Sequence, residues 1–189
     1  MIVNSHNDWD PLEEIIVGHA HHSRIATDIS ARSFSYANFP KEDVEKLEGT
    51  YPQWVIDEAN EDADGLAKAL EDLGVIVHRP KIIDWDKKNY DIGQGWNTKG
   101  WYSWCPRDLI LPLGDMLIET PTPVRARYFE TRLYEDIMYE AFEDGALWMS
   151  APKPKLHDDM YTFEDIENKP TLLDHEICFD APNIVRVGT

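Results

Sequence analysis

Two aspartates stand just before short apolar runs, and their position makes them the best candidates for chemistry in this sequence. Asp108 precedes Leu-Ile-Leu-Pro-Leu, which Gly114 closes, and Asp180 precedes a similar run that ends at Gly188. A single aspartate at such a place usually caps a turn or pairs with a nearby arginine. Two carboxylates that converge, by contrast, match the planar donors of a guanidinium. We therefore interpret Asp108 and Asp180 as a candidate binding site for a guanidinium group.

A third aspartate has comparable spacing but a different interpretation. Asp10 lies eight residues before Gly18, as Asp180 does before its own glycine. Pro11 follows it directly, and an Asp-Pro pair is typical of a turn. We predict a turn role for Asp10.

The two cysteines are weaker candidates for a nucleophile. Cys105 lies three residues before Asp108, with Arg107 between them. A reactive thiolate needs a cationic neighbour and a base, and no histidine is spaced to act as that base. We interpret Cys105 and Cys178 as packed or free thiols.

The early histidines and a cluster of aromatic residues could suggest a metal site and a ligand pocket. Adjacent histidines on an extended segment point in opposite directions, and no cysteine or carboxylate completes a metal-binding spacing. We predict loop histidines, no metal and no cofactor. The aromatic residues could line a pocket, although core packing explains them equally well. These residues are His19, His21 and His22, and Trp96, Trp101, Tyr102 and Trp104.

Helices and strands must position the two aspartates, and their pattern predicts an α/β fold. Apolar residues recur every three or four positions over 54–73 and again over about 124–143, which predicts two helices. A strand should follow each helix, at 75–77 (a buried one) and at 147–149. Residues 109–118 are predicted to form a hairpin.

Two landmarks indicate an internal repeat. Gly74 and Gly145, which should end the two helices, are 71 positions apart, and Asp108 and Asp180 are 72 apart. A nearly equal offset between unrelated landmarks indicates a repeated unit. A third unit begins at 178–189 and stops as its strand ends, so we expect the chain to be truncated there.

The segments between these elements are predicted to be loops. Residues 19–53 should form a long loop with at most one short helix, and residues 81–103 are similarly loop-like. Residues 153–177 form an acidic loop.

The composition limits the classes of partner. The 189 residues include 36 acidic and 18 basic side chains, giving a net charge of −18. Such a surface repels nucleic acid and anionic lipid, and it favours cationic small molecules. The sequence lacks a signal peptide and an apolar run of membrane-spanning length, so we expect a cytoplasmic protein with reduced thiols.

Five segments, in the same order along the chain, resemble the N-terminal half of the glycine (arginine:glycine) amidinotransferases. They are 3–18, 106–111, 124–130, 151–154 and 178–181. The resemblance implies a pentein fold, a five-bladed α/β propeller of ββαβ modules. This chain would supply two modules and the start of a third. Residues 1–189 would then be the N-terminal part of a single domain whose C-terminal part is missing.

The resemblance also implies a reaction and a role for each aspartate. In this family a cysteine attacks the guanidinium carbon of L-arginine, ornithine leaves, and an amine such as glycine takes the amidino group. Asp108, in Pro-Arg-Asp, matches the aspartate that binds the substrate guanidinium. Asp180, in Cys-Phe-Asp-Ala, matches the catalytic aspartate that partners a histidine.

The departures from the family pattern are as informative as the matches. The family histidine, in a Met-His-Ile-Asp setting, and the nucleophilic cysteine have no counterpart here, and neither Cys105 nor Cys178 matches the nucleophile. Pro182 and Asn183 replace the usual Ala-Asp. We therefore expect no turnover by this chain alone, and association with a C-terminal half or with itself.

Two other functions are consistent with the same residues. A half-propeller could bind arginine-like cations without chemistry, or the completed protein could be a deiminase-like hydrolase of the same superfamily. Calorimetry with arginine would test the binding function. Detection of citrulline would test the hydrolase.

Overall fold

The computed structural model describes residues 1, 3–163 and 172–188 of the protein. Within these residues, five α-helices and nine short strands form a mixed α/β structure, as predicted. The helices are α1 (Ile29–Ser35), α2 (Lys41–Glu45), α3 (Gln53–Asp72), α4 (Pro106–Leu109) and α5 (Glu135–Glu143). The strands are β1 (Glu14–Ile16), β2 (Arg24–Ile25), β3 (Gly49–Thr50), β4 (Ile76–His78), β5 (Tyr90–Asp91), β6 (Asn97–Thr98), β7 (Ile110–Leu113), β8 (Met116–Glu119) and β9 (Leu147–Ser150).

The second half of the chain contains a complete ββαβ unit. Strands β7 and β8 form the predicted antiparallel hairpin, whose turn places Gly114 at φ +61°. Helix α5 follows, and β9 returns parallel to β8, with Leu117 opposite Trp148. The face between sheet and helix is the main hydrophobic core, because alternate strand residues and one side of α5 point into it. This core includes Leu109, Leu117, Leu133, Tyr134 and Met138.

The first half contains a smaller βαβ unit. Strands β1 and β4 pair in parallel, and α3 connects them, as the helical period over 54–73 predicts. Gly74 ends the helix at φ +87°, a left-handed conformation that glycine adopts without steric cost. The prediction that the following strand is buried is wrong, since Ile76 is 56% exposed. Among the described residues, strand β4 pairs only with β1. Its other edge is therefore unpaired.

The second predicted helix is shorter than its periodicity indicates. Only residues 135–143 of the predicted 124–143 are α-helical, and two 3-10 turns, Arg125–Arg127 and Glu130–Leu133, precede them. Arg125, Arg127 and Glu130 are buried and paired, and a tighter turn points them into the protein. A periodicity based on apolar residues cannot detect charged groups that face inward.

Three predicted loops differ from the structure in detail. Residues 19–53 contain two short helices and the β2–β3 pair, more structure than predicted, and Asp28 caps α1 by accepting from the amides of Ser30 and Ala31. Residues 81–103 contain the β5–β6 pair. The acidic loop 153–177 lies partly outside the described residues.

The strand predicted near the end of the chain is not formed among the described residues. The segment makes a 3-10 turn, Ala181–Asn183, and a single bridge between Val187 and Asn7. The Gly188 amide donates to the His6 carbonyl at 3.0 Å beside this bridge, but no further strand pairing follows among the described residues.

Two features of the fold matter most for the site. The short helix α4, which contains Asp108, packs against the 3-10 turn that Asp180 begins. The Thr120 hydroxyl, at the end of β8, donates to the Asp108 carbonyl at 2.9 Å and fixes the entry to β7. Among the described residues, no helix combines the length and apolar character that a membrane span requires.

Candidate functional site

Asp108 lies on the short helix α4, immediately before β7. Pro106 occupies the first turn of this helix, where its missing amide is not needed. The Asp108 side chain is about one quarter exposed, and its Oδ2 accepts from Nη1 of Arg127 at 2.5 Å. No described residue donates to its second oxygen, Oδ1. The carboxylate is therefore held at one oxygen and accessible at the other.

Arg127 is the centre of the site. Its side chain is only 3% exposed, and its Nε and Nη2 donate to the two oxygens of Glu130 at 2.7 and 2.9 Å. Nη2 also donates to the Cys105 carbonyl at 3.1 Å, and the guanidinium lies over the Tyr102 ring at 4.8 Å. This fork-shaped pairing on a carboxylate leaves the guanidinium one fixed orientation.

Burial and the neighbouring charges shift the pKa values of both members of this pair. Complete burial raises the pKa of Glu130 to about 7, although Arg127 acts in the opposite direction. Burial also acts to lower the pKa of Arg127, but the charges of Glu130 and Asp108 outweigh it and raise that pKa well above its ordinary value. Arg127 therefore stays cationic at any physiological pH.

Asp180 lies beside this group and has a different environment. It begins the turn Ala181–Asn183 and shares a reciprocal capping interaction with Asn183. Its Oδ1 is buried without a hydrogen-bond partner among the described residues. Burial raises the pKa of Asp180; Arg127 and the Thr122 hydroxyl lower it, and Asp108 raises it.

The structure thus brings Asp108 and Asp180 into one electrostatic neighbourhood, with Arg127 acting on both. Arg127 directs four of its five N–H donors to Asp108, Glu130 and the Cys105 carbonyl, and none of these four hydrogen bonds reaches Asp180. Three carboxyl groups surround one guanidinium, so the site has an excess of acceptors. A buried acceptor without a donor is costly, and a ligand that supplies N–H donors and positive charge would satisfy it.

The two cysteines lie near this site in unreactive states. Burial, reinforced by Asp108, raises the pKa of Cys105 to about 11. Burial raises the pKa of Cys178 to about 12, and Glu176 and Asp180 add to the effect. Both thiols are free, as predicted. Neither is a thiolate near neutral pH, and neither can act as a nucleophile without a change in its surroundings.

The other candidates from the sequence have structural roles. Asp10 accepts from the Asn7 side chain at 2.6 Å, which confirms its turn role. His19 is not an exposed loop residue: it is buried, its Nδ1 lies 3.1 Å from the Ser103 hydroxyl, and burial lowers its pKa to about 4. No group of three potential metal ligands occurs in the described part of the chain.

The aromatic residues divide between core and site. Trp96 and Trp101 are buried in two hydrophobic clusters. Tyr102 covers Arg127, and Trp104 stacks on Tyr102 with ring centroids 4.7 Å apart. The pair Tyr102 and Trp104 therefore forms an aromatic wall of the site, and the other two do not.

Sequence reasoning about single residues missed Arg127 and Glu130. The signal available was their spacing of three positions within Val-Arg-Ala-Arg-Tyr-Phe-Glu, which allows a pair within one turn. That segment resembles the amidinotransferases, but neither its arginine nor its glutamate was assigned a role. The burial that makes the pair important cannot be read from spacing.

Comparisons with known proteins place the whole chain beside one group of enzymes. No family model matches the chain. Over 191 residues it is 41% identical to inosamine-phosphate amidinotransferase 1 of Streptomyces griseus, covering 100% of this chain and 54% of that protein. It is 34% identical over 203 residues to the mitochondrial glycine amidinotransferase of Xenopus laevis, covering 98% of this chain and 47% of that protein.

A solved structure shows the same relationship in three dimensions. The inosamine-phosphate amidinotransferase of Streptomyces griseus superposes with a TM-score of 0.88 and 38% identity, over 99% of this chain and 53% of the other. The chain spans about half the length of the curated relatives it matches. The fold and the sequence lead to one conclusion: over its whole length this chain matches the amidinotransferase family, across about half of each relative.

Proposed function

We propose that this chain is the guanidinium-binding part of an amidinotransferase. The complete enzyme would transfer the amidino group of L-arginine to an amine acceptor and release ornithine. The observation that carries the proposal is the buried Oδ1 of Asp180, which has no hydrogen-bond partner in the described part of the chain, beside the half-free carboxylate of Asp108. Together they offer acceptor oxygens, at a site with excess negative charge, to a ligand with several N–H donors.

In this proposal the two aspartates hold the substrate guanidinium while a cysteine outside this chain attacks its central carbon. The new carbon–sulfur bond forms as the bond from that carbon to the arginine Nε breaks. A histidine supplies the proton with which ornithine leaves as an amine. The acceptor amine then attacks the same carbon, the carbon–sulfur bond breaks, and the thiolate is restored. Besides holding the guanidinium with Asp108, Asp180 would orient that histidine.

The chain alone should not catalyse this reaction. The first step needs a thiolate, and burial raises the pKa of both Cys105 and Cys178 far above neutrality. We therefore propose that the nucleophile and the base come from polypeptide beyond these residues, which associates with this chain or continues it.

The acceptor is proposed from the relatives. Glycine is the acceptor that the sequence resemblance implies, and the name of the Xenopus laevis relative, glycine amidinotransferase, agrees. The higher identity to the inosamine-phosphate enzymes, 41% against 34%, favours a phosphorylated amino-sugar-like amine over glycine. The cellular location is likewise a proposal. We expect the cytoplasm, whereas the name of the Xenopus laevis protein says mitochondrial.

The test is ornithine production from L-arginine. The chain would be combined with the half of the Streptomyces griseus relative that it does not match, and each acceptor would be supplied in turn. We expect ornithine with the combination and none with the chain alone. Asp180→Asn should abolish the product, whereas Asp174→Asn, at an exposed position six residues earlier, should not. Equal rates for these two variants would contradict the proposal, as would a well-folded combination without ornithine.

A binding function without chemistry is the second candidate. It is favoured by one observation: the unpartnered Asp180 oxygen and the open Asp108 oxygen are present in this chain, whereas a reactive thiol is not. It predicts that arginine binds the isolated chain and that no polypeptide added to it yields ornithine.

A further inference from the structure

The buried pair of Arg127 and Glu130 is the part of the site that the proposed reaction does not use. Both side chains are almost completely inaccessible, at 3% and 1% exposure, and they contact each other through two hydrogen bonds. A substrate cannot reach them. Their effect on any ligand must therefore pass through a neighbour.

That neighbour is Asp108. The Arg127 Nη1 reaches its Oδ2 at 2.5 Å, and Nη2 reaches the Cys105 carbonyl, one residue before the helix that contains Asp108. One guanidinium thus fixes both the side chain of Asp108 and the backbone that leads to it. A lone aspartate at the edge of a site would rotate between conformers, whereas this one has a single orientation imposed by a buried, rigid donor.

We propose that Arg127, held by Glu130, is a positioning residue that orients Asp108 so that its Oδ1 remains available to a substrate guanidinium. This inference rests on the proposed function, since it specifies how that same site is prepared. Tyr102 contributes by covering the face of the Arg127 guanidinium and excluding water from it. A guanidinium ligand would then bind to a carboxylate that another guanidinium already orients from the opposite side.

A simpler alternative is that the pair only stabilises the fold. The two roles differ in how substitutions combine. If Arg127 acts on the ligand through Asp108, its loss should matter little once Asp108 has lost its charge and one of its two acceptor oxygens. If the pair serves only the fold, the effects of the two substitutions should add.

The experiment is a double-substitution cycle on the 189-residue chain, read out by NMR titration with L-arginine, which measures affinities into the millimolar range. The four proteins are the wild type, Arg127→Lys, Asp108→Asn and the double variant, each checked for folding by circular dichroism. Lysine keeps the charge but cannot contact Glu130, Asp108 and the Cys105 carbonyl with one planar group. Arg107→Lys, at an exposed position beside Asp108, is the matched control.

We expect Arg127→Lys to weaken arginine binding about tenfold in the wild-type background and less than about twofold in the Asp108→Asn background. Arg107→Lys should change the affinity less than about twofold. If Arg127→Lys does not fold, Glu130→Gln carries the same comparison, because it removes the charge that holds Arg127 while keeping the size of the side chain.

Three outcomes overturn the inference: an equal effect of Arg127→Lys in both backgrounds, no effect in either, and no arginine binding by the wild type. The proposed function is judged separately by ornithine formation in the combined enzyme. An additive cycle together with ornithine production would remove the positioning role and leave the amidino transfer intact.

Discussion

At the scale of single residues, the site contains one carboxylate that a buried arginine orients and one that has no such donor. Asp108 is oriented by Arg127, whereas Asp180 buries an oxygen that has no donor within the described structure. An uncompensated buried acceptor costs about 1–3 kcal/mol, so a fold retains one only when something else requires it. We interpret that requirement as ligand binding.

Asp180→Asn should therefore stabilise the chain while weakening its ligand binding. Burial raises the pKa of Asp180 above its ordinary value, so the folded state holds its proton more tightly than the unfolded state. The destabilisation is absent below the ordinary carboxyl range and grows as the pH rises through the raised pKa. Asparagine can still cap the turn. We expect a melting temperature about 2–4 °C higher at pH 7 and a smaller gain at pH 4.

Thermal unfolding followed by circular dichroism measures this difference, with Asp174→Asn as the control at an exposed site. A lower melting temperature for Asp180→Asn at pH 7, or an equal gain at both pH values, would show that the carboxylate is satisfied in the free chain.

The cysteine thiols provide a second prediction at this scale. With pKa values raised to about 11 and about 12, Cys105 and Cys178 hold very little thiolate at pH 7.5. Alkylation by iodoacetamide should be about a hundredfold slower than for a free small thiol, because the thiolate is the reacting species. Mass spectrometry of the folded and urea-unfolded chain measures the rates. Rapid alkylation of Cys105 in the folded chain would contradict the assigned environment and reopen its role as a nucleophile.

At the scale of secondary structure, one close contact decides where the site helix lies. Gly18, after β1, lies against the backbone of residues 103–104, which lead into α4. A Cβ at this position would be 2.3 Å from the Ser103 carbonyl oxygen. Backbone atoms cannot move aside as a flexible side chain does, so only glycine fits here.

Gly18→Ala should cost about 1–3 kcal/mol of unfolding free energy and also weaken arginine binding, since it displaces the segment before Asp108. Gly65→Ala is the matched control: it lies within α3, nothing would approach its Cβ within 4 Å, and alanine should stabilise the helix by about 1 kcal/mol. Urea unfolding curves compare the two. Equal stabilities for both variants would contradict the close approach.

The sequence predicts some of these elements well and others poorly, for identifiable reasons. Helix α3 and the β7–β8 hairpin follow from apolar periodicity and glycine positions, and the structure has both. The segment 124–134 is predicted as helix but forms 3-10 turns, because Arg125, Arg127 and Glu130 face inward as ion pairs. Periodicity assumes that charged residues face water, and it fails where a site buries them.

The candidate site shows the same limit. Asp108 and Asp180 were found by their equivalent positions in the two units, and the structure places them near each other. The importance of Arg127 depends on three contacts, and two of them, with Asp108 and the Cys105 carbonyl, join positions 19 and 22 residues apart. The spacing of residues along the sequence can indicate only the contact with Glu130.

At the scale of the whole molecule, an acidic surface coexists with uncovered apolar residues. The net charge is −18, yet Ile76, Leu147, Met149 and Val187 are each about half exposed or more. An open cavity of about 700 Å³ lies between the N-terminal segment and the β7–β8 hairpin. Exposed apolar residues of this kind are typical of surfaces that bind another polypeptide. This agrees with a chain that spans about half of its relatives.

We expect the isolated chain to self-associate, and more strongly at high salt. Like charges on two copies repel, and salt screens this repulsion while leaving apolar contact unaffected. Light scattering should show a mass that increases above 21.9 kDa with protein concentration, and more steeply when the salt is raised from about 50 mM to about 500 mM. A constant monomer mass under all these conditions would contradict the prediction.

The central claim is that Asp108 and Asp180 together bind the guanidinium of L-arginine. The most direct measurement is an NMR titration of the chain with arginine labelled with 15N in its guanidinium group. Wild type, Asp108→Asn and Asp180→Asn would be compared, with Asp115→Asn as an exposed control from the hairpin turn. The account predicts saturable shifts of the guanidinium signals with wild type and Asp115→Asn, and affinity reduced at least about tenfold in each of the other two variants. Binding that is equally strong in all four proteins would contradict it, as would the absence of binding by the wild type.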